Sequence, residues 1–237
     1  MVGYEQTIQD IIDAYESLVC GIDKTALENK SRAYGGIIRA GKGKLVESIA
    51  REVVRLAWQR LGKDADRIAI PKTKKKVKIP LNKGYLEKIK HEETREFIKQ
   101  NLAKYYYPLG SDVQVFVDAN LIMVIECKAY TENAMFKRIL VDFTLLQHVY
   151  PKLIPVLLQL ESQLGGDYST LVKSPLGSPS THALLSYFDV DLTIITLLKG
   201  ERKVDKPIHK KEFYKPLTRE SVESAIEIIA TLLDRVT

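Results

Sequence analysis

Two neighbouring apolar runs with a very short polar link constrain the fold of this chain more than any other feature. The first run spans Val113 to Val117, and the second begins at Leu121, with only Asp118-Ala119-Asn120 between them. The second run is apolar from Leu121 to Ile125 without alternation, as is typical of a strand covered on both sides. Because so short a link leaves room only for a tight turn, the two strands are predicted to be antiparallel neighbours.

The second run ends in a charged pair, Glu126 and Lys128, with Cys127 between them. Residues i and i+2 of a strand share a face, so the carboxylate and the ammonium group are predicted to point the same way. Charged groups at the end of a covered strand cost free energy unless a ligand or partner requires them there. A divalent cation and a phosphate are ligands of that kind.

Most of the remaining chain is predicted to form amphipathic helices and short strands. The clearest helix runs from Lys44 to Leu61 and ends before Gly62. The other predicted helices are 6–19, 85–105, 135–148, 218–235 and a short one near 182–188, and the further strands are 153–160 and 191–198. Strands flanked by helices predict the α/β class, with a mixed central β-sheet, helices on its faces and helical additions at the N-terminus.

Composition excludes several other classes of protein. Of the 237 residues, 45% are hydrophobic and 28% are charged, which is typical of a globular protein, and no apolar run approaches the ~20 residues of a membrane span. The N-terminus lacks a signal-peptide pattern, so a cytoplasmic location is expected. The only cysteines, Cys20 and Cys127, have no metal-binding spacing and are expected to be reduced. A net charge of +6 is compatible with a polyanionic partner without demonstrating one.

Two basic segments each have two interpretations. Ser31 to Lys44 contains four glycines and is either a phosphate-contacting loop or a hinge, but it lacks the P-loop and dinucleotide-binding patterns. No nucleotide cofactor is therefore expected. Pro71 to Lys78 contains a run of lysines, which are either a clamp on a DNA backbone or protection for an exposed sheet edge.

The charged residues of the predicted hairpin suit a metal site. Asp118 at the end of one strand and Glu126 on the next are expected to converge on one Mg²⁺ ion, with the backbone carbonyl of Cys127 as a third ligand. Lys128 beside them is expected to orient or deprotonate an attacking water, or to stabilise negative charge on a phosphate.

This arrangement resembles the PD-(D/E)XK nuclease superfamily. The resemblance lies in Asp118, then Glu126-Cys127-Lys128 on the next strand, then a helix, and it extends over roughly residues 44–161. It implies a restriction-endonuclease-like core and a supporting catalytic role for Glu47, which occupies a place where many members carry another acidic residue. From spacing alone, Glu47 and Arg51 form an i,i+4 pair of the kind common on solvated helix faces.

Within that superfamily, the chain looks most like a type II restriction endonuclease. The resemblance implies Mg²⁺-dependent hydrolysis of both strands of a specific duplex DNA site by a homodimer. Two alternatives stay open at this point. One is a structure-specific nuclease of the same superfamily, of the junction-resolvase or repair type, and the other is a non-catalytic DNA-binding protein in which the motif is a structural ion pair.

Residues 1–237 are expected to form a single nuclease domain. Its catalytic core is about 44–161, the N-terminal helical segment and Gly/Arg-rich loop occupy 1–43, and 162–237 is expected to complete the core and read DNA. Basic and aromatic side chains near the glycine-rich segment and the motif are candidate DNA contacts: Arg39, Lys42, Lys44, Tyr130, Lys137 and Arg138. The last two alternatively form a solvated helix face.

Overall fold

A computed structural model describes residues 2–28, 33–82, 84–169 and 177–236, and the side chains of residues 2 and 22–40 lie outside that description. Two long helices open the chain, α1 (Val2–Glu28) and α2 (Ala33–Arg60). Ile8, Ile11 and Tyr15 recur at helical spacing along α1 and are buried. The fold thus begins with a helical layer that packs through one apolar stripe.

Seven strands form two sheets in the described part of the chain. They are β1 (Ile68–Ala69), β2 (Val77–Pro80), β3 (Tyr106–Leu109), β4 (Val113–Val117), β5 (Asn120–Glu132), β6 (Ile154–Gln163) and β7 (Thr193–Thr196). The main sheet has the order β1-β4-β5-β6-β7, and β2 pairs with β3 in a separate antiparallel sheet. In the main sheet, β1, β4 and β5 are antiparallel neighbours, whereas β5, β6 and β7 run parallel. The predicted mixed sheet is confirmed.

Helices cover both faces of the main sheet. The remaining ones are α3 (Tyr85–Lys88), α4 (Glu92–Gln100), α5 (Asn133–Val149), α6 (Pro179–Leu185) and α7 (Arg219–Asp234). Buried residues of α1, α2 and α7 join the sheet in one apolar cluster, and buried residues of α5 form a second cluster with Val124 and Leu157. This layering confirms the predicted α/β class. None of the helices in the described ranges combines the length and the apolar composition that a bilayer crossing requires.

Two predicted elements differ from the structure. The glycine-rich segment, Ser31 to Lys44, is helical from Ala33 onward, so the loop or hinge expected there is wrong, while Ser31 and Arg32 lie outside the described residues. The single helix expected over 85–105 is divided, because the chain is extended at His91, whose side chain accepts a hydrogen bond from the Thr94 N–H and caps α4.

Candidate active site

The register of the β4–β5 hairpin determines which carboxylates meet. A two-residue turn at Asp118 and Ala119 joins the strands, and the ladder ends at the pair Val113–Ile125. One residue beyond that pair, Asp112 precedes β4 and Glu126 continues β5. The open end of the hairpin therefore carries two opposed carboxylates.

Lys128 joins these two carboxylates. Its Nζ lies 3.1 Å from Asp112 Oδ2 and 2.8 Å from Glu126 Oε2, and it also lies 3.2 Å from the carbonyl oxygen of Cys127. The Glu126 and Lys128 side chains are only 11% and 18% exposed. Three oxygen atoms thus surround one cationic group in a largely buried site.

The backbone of β5 contributes directly to this arrangement. Past Ile125 the ladder with β4 has ended, and the Cys127 N–H donates instead to Asp112 Oδ2 at 2.9 Å. A buried N–H that has left a sheet ladder needs another acceptor. The carboxylate of Asp112 fills that need and is thereby held against the strand, while the Cys127 thiol is buried in the apolar cluster of α1, α2 and α7.

A second pair of charged groups adjoins the first. Lys74, in the loop before β2, places its Nζ 2.9 Å from Glu47 Oε1 and 3.1 Å from Asp112 Oδ1. Arg51 of α2 donates to the carbonyl oxygens of Pro71 and Asp112, at 2.6 and 3.3 Å. The expected Glu47–Arg51 pair is therefore wrong, because Glu47 binds Lys74 and Arg51 binds backbone carbonyl groups outside α2.

The pKa values of the carboxylates and the lysine in this cluster shift in different directions. Burial, with the nearby carboxylates Asp112 and Asp142 adding to it, raises the pKa of Glu126 to about 7 against the opposing effect of Lys128. Burial also opposes ionisation of Asp112, but Lys128, the Cys127 N–H and Lys74 together lower its pKa below the usual value. Burial disfavours the Lys128 ammonium, yet Glu126 and Asp112 raise its pKa. An ionised Asp112 and a protonated Lys128 result, beside a Glu126 that titrates near neutrality.

The oxygen atoms here fit a hard divalent cation. Carboxylate and carbonyl oxygens are the ligands that Mg²⁺ prefers, and Mg²⁺ usually keeps several waters. Within the described ranges, no three acidic, histidine or cysteine side chains are arranged to hold a common ion. An ion at this site would therefore have Asp112, Glu126 and the Cys127 carbonyl as protein ligands, and water or phosphate oxygens would complete its shell.

Asp118 is a correction to the predicted site. It lies in the turn with φ of +49°, and its carboxylate accepts from Arg67 Nε and Nη2 at 3.0 and 2.6 Å. From Asn120, beside the turn, to Glu126 the strand extends about 20 Å, whereas metal ligands lie ~2 Å from their ion. Asp118 and Glu126 cannot share an ion, and Asp112 occupies the position expected of Asp118.

The predicted DNA contacts are dispersed over the molecule. Lys44 on α2 and both Lys137 and Arg138 on α5 are exposed. Tyr130 is half-buried, with the Arg202 guanidinium 3.9 Å from its ring centre. The prediction for Lys42 is wrong, because this residue is buried near Glu161 and its burial lowers the pKa of the ammonium group. The side chain of Arg39 lies outside the described part.

Asp112 and Lys74 are the site residues that sequence reasoning missed. A partial signal for Asp112 was present, because a tight hairpin turn places its own residues far from the open end, where the residue before the first strand lies near Glu126. No comparable signal exists for Lys74, which is one of several adjacent lysines. Its contact depends on how a loop packs on α2 and β4.

Comparisons with known proteins now identify the family. No protein-family model matches the chain. The chain is 46% identical over 237 residues to the type II restriction enzyme DdeI of Desulfomicrobium norvegicum, covering 98% of both proteins. A solved structure titled "native BbvCI A2B2 tetramer at low resolution" matches 98% of this chain and 91% of its own at 12% identity, but with a TM-score of 0.35, too low to support an argument.

The similarity to DdeI covers nearly the whole length of both proteins. The predicted family and its class of enzyme, a site-specific deoxyribonuclease, are confirmed. The class implies DNA as a partner and a divalent metal as a cofactor. The chain belongs to the type II restriction endonucleases.

Proposed function

We propose that the chain cuts duplex DNA with Mg²⁺ as its cofactor, and that the cleavage centre consists of Asp112, Glu126 and Lys128, with Glu47 in support. The observation that carries the proposal is the contact of one lysine with two carboxylates and the Cys127 carbonyl at the open end of the hairpin. Full-length similarity to a restriction enzyme supplies the reaction class. Together they favour this cluster over any other group of charged residues that we have described.

Each side chain has a separate task in this proposal. Asp112, Glu126 and the Cys127 carbonyl would hold the divalent ion, which when bound polarises a phosphoryl oxygen and makes water a better nucleophile. Lys128 donates to these same three oxygens, so an ion bound by them would take over its acceptors, and its ammonium group could then donate to a phosphate or an attacking water beside the ion. A positive charge in a largely buried site stabilises the negative charge that develops on the phosphate.

The ionisation of the cluster agrees with these tasks. Asp112 is ionised at neutral pH and so is available as a metal ligand, and Lys128 stays protonated, as charge stabilisation requires. Glu126 has a pKa of about 7, so a cation at the site would favour its ionised form and displace its proton.

Binding to the DNA backbone is proposed for the exposed basic residues among the predicted DNA contacts. Lys44, Lys137 and Arg138 are exposed, and phosphate contacts by such groups weaken as salt concentration rises. We also propose a homodimer, since two copies related by a two-fold axis present two cleavage centres to the two strands of a palindromic site. Sedimentation of the chain with a duplex oligonucleotide tests that stoichiometry.

Digestion of plasmid DNA with Mg²⁺ tests the proposed function. Discrete fragments are expected from the wild-type chain, and Glu126→Gln should stop cutting while gel-shift binding to the same DNA persists. Intact plasmid, or cutting that is restricted to branched DNA, would overturn the proposed activity. Cutting by Glu126→Gln at the wild-type rate would overturn the proposed centre.

A further inference from the structure

We propose that Lys74 is a positioning residue of the cleavage centre, which holds the carboxylates of Glu47 and Asp112 in place through its ammonium group. The proposal rests on the proposed function and deepens it. The run of lysines from Pro71 to Lys78 has two interpretations from sequence alone, as a clamp on a DNA backbone or as protection for a sheet edge. Neither interpretation includes the role that we propose for Lys74.

Lys74 contacts two carboxylates from different elements. Its Nζ lies 2.9 Å from Glu47 Oε1 on α2 and 3.1 Å from Asp112 Oδ1 before β4. The Glu47 and Asp112 side chains are only 25% and 22% exposed, so water screens their mutual repulsion poorly. A cation between them offsets that repulsion, and although partial burial opposes it, the hydrogen bonds to Glu47 and Asp112 and their negative charges raise the pKa of Lys74.

The loop that carries Lys74 is fastened on both sides of it. Arg51 donates to the carbonyl oxygen of Pro71, and the buried Gln114 donates to that of Lys75 at 2.7 Å. These bonds tie the loop to α2 and to β4, the elements that carry or adjoin Glu47 and Asp112. The two hydrogen bonds thus fix the backbone of the loop on either side of Lys74.

The contact also orients Asp112. Oδ1 of this carboxylate accepts from Lys74, while Oδ2 accepts from Lys128 and from the Cys127 N–H. With both oxygens engaged, the carboxylate plane cannot turn without breaking a charge-assisted hydrogen bond. Loss of Lys74 would free Oδ1 and leave Glu47 repelling Asp112, so that only the hydrogen bonds to Oδ2 would still hold the carboxylate, and its plane could turn about them.

Lys76 provides a matched control within the same run. It is exposed, two residues from Lys74, and none of the ion pairs found in the described part of the chain involves it. A lysine that acts only by attracting DNA should affect binding, expressed in KM, and should leave kcat almost unchanged. A lysine that positions Asp112 should affect kcat instead.

The experiment measures kcat and KM for plasmid cleavage at saturating Mg²⁺. We expect Lys74→Met to lower kcat about 10- to 100-fold, the usual cost of losing a group that orients a metal ligand, with KM changed less than ~3-fold. Lys74→Arg should recover most of the loss, because a guanidinium can bridge two carboxylates. Lys76→Met should keep kcat within ~2-fold of wild type.

A double-mutant cycle separates positioning from an independent effect. If Lys74 acts through the Glu47–Asp112 pair, Lys74→Met combined with Glu47→Gln should lose little more than the worse single variant. The proposal would be overturned if the double variant lost kcat by the product of the two single losses. It would also be overturned if Lys74→Met kept kcat within ~2-fold of wild type or changed KM alone. Cleavage by Asp112→Asn at the wild-type rate would instead overturn the proposed function. Failure of the role proposed for Lys74 and failure of the proposed function are therefore distinguishable.

Folding does not obscure the result. Lys74 has a side chain that is 41% exposed, and its replacement by Met keeps the aliphatic stem, so thermal unfolding of Lys74→Met should stay close to wild type. Should that variant unfold, Lys74→Arg and Lys74→Gln provide the same comparison. A kcat near wild type in Lys74→Arg with a ~10-fold or greater loss in Lys74→Gln supports the proposal, and equal kcat in the two variants overturns it.

Discussion

The two ends of the β4–β5 hairpin each pair an aspartate with a cationic side chain, but in opposite surroundings. At the turn end, Asp118 binds Arg67, and their side chains are 53% and 41% exposed. At the open end, Asp112 binds Lys128, and their side chains are 22% and 18% exposed. The two ion pairs therefore differ in electrostatic strength. Water screens the charges of the exposed pair, Asp118 and Arg67, and screens those of the largely buried pair, Asp112 and Lys128, much less.

Charge balance also differs between the ends. The turn has one carboxylate and one guanidinium, which satisfy each other, and the Arg67 hydrogen bond lowers the pKa of Asp118. The open end has three carboxylates, from Glu47, Asp112 and Glu126, whose ion-pair partners in the described part of the chain are two ammonium groups, Lys74 and Lys128. When Glu126 is ionised, the additional negative charge favours a further cation, which the balanced pair at the turn does not.

The largest expected effect separates the cationic residues of the two ends. Lys128→Met should lower the cleavage rate at least ~100-fold, because it removes the charge that would face the phosphate in the buried site. Arg67→Met should leave the rate within ~2-fold of wild type, because its partner lies in the turn. Single-turnover cleavage of plasmid DNA by both variants measures this ratio, and equal losses would remove the distinction between the ends.

A smaller effect concerns the pH dependence of stability in the metal-free protein. The pKa of Glu126 rises from 4.5 to about 7 on folding, mainly through burial, so the native state binds more protons between these values. Stability should therefore fall as pH rises from 5 to 7, by up to about 1.4 kcal/mol per pH unit from this group. The pKa of Asp118 is lowered, so its contribution is lost only at more acidic pH.

Urea unfolding at several pH values checks this slope. Glu126→Gln should flatten the dependence between pH 5 and 7, whereas Asp118→Asn should leave it unchanged over the same interval. A slope that persists in Glu126→Gln would show that another group takes up the proton.

The smallest expected effect lies in the turn itself. Ala119 has φ of +65°, a left-handed conformation that disfavours residues with a Cβ, and Asp-Gly is a preferred pair for such two-residue turns. Ala119→Gly should raise the free energy of unfolding by roughly 0.5–1 kcal/mol and leave cleavage unchanged. Thermal unfolding and plasmid digestion of this variant test both statements, and a change in cleavage would connect the turn to the chemistry.

Local patterns in the sequence were sufficient for β5 and for the pair on it. The apolar run, its tight link to β4 and the i,i+2 spacing of Glu126 and Lys128 are properties of adjacent residues, and the structure brings these two side chains together. The alternation of elements likewise predicted the α/β class.

Properties that depend on register and long-range packing were not predictable in the same way. The partner of Glu126 follows from pairing along the hairpin, including an irregularity after Val115 that displaces the register by one residue. Lys74 reaches the site because Arg51 and Gln114 fasten its loop from distant elements. The helix through the glycine-rich segment forms against the low helix propensity of glycine, so local sequence did not predict it.

The most direct test of the account compares the two aspartates of the hairpin. Asp112→Asn and Asp118→Asn make the same chemical change about 20 Å apart, at opposite ends of one hairpin. With Mg²⁺, Asp112→Asn should lower the rate of plasmid cleavage at least ~100-fold, and Asp118→Asn should cut within ~2-fold of wild type. Full activity in Asp112→Asn, or loss of activity in Asp118→Asn with its fold intact, would contradict the placement of the cleavage centre at the open end.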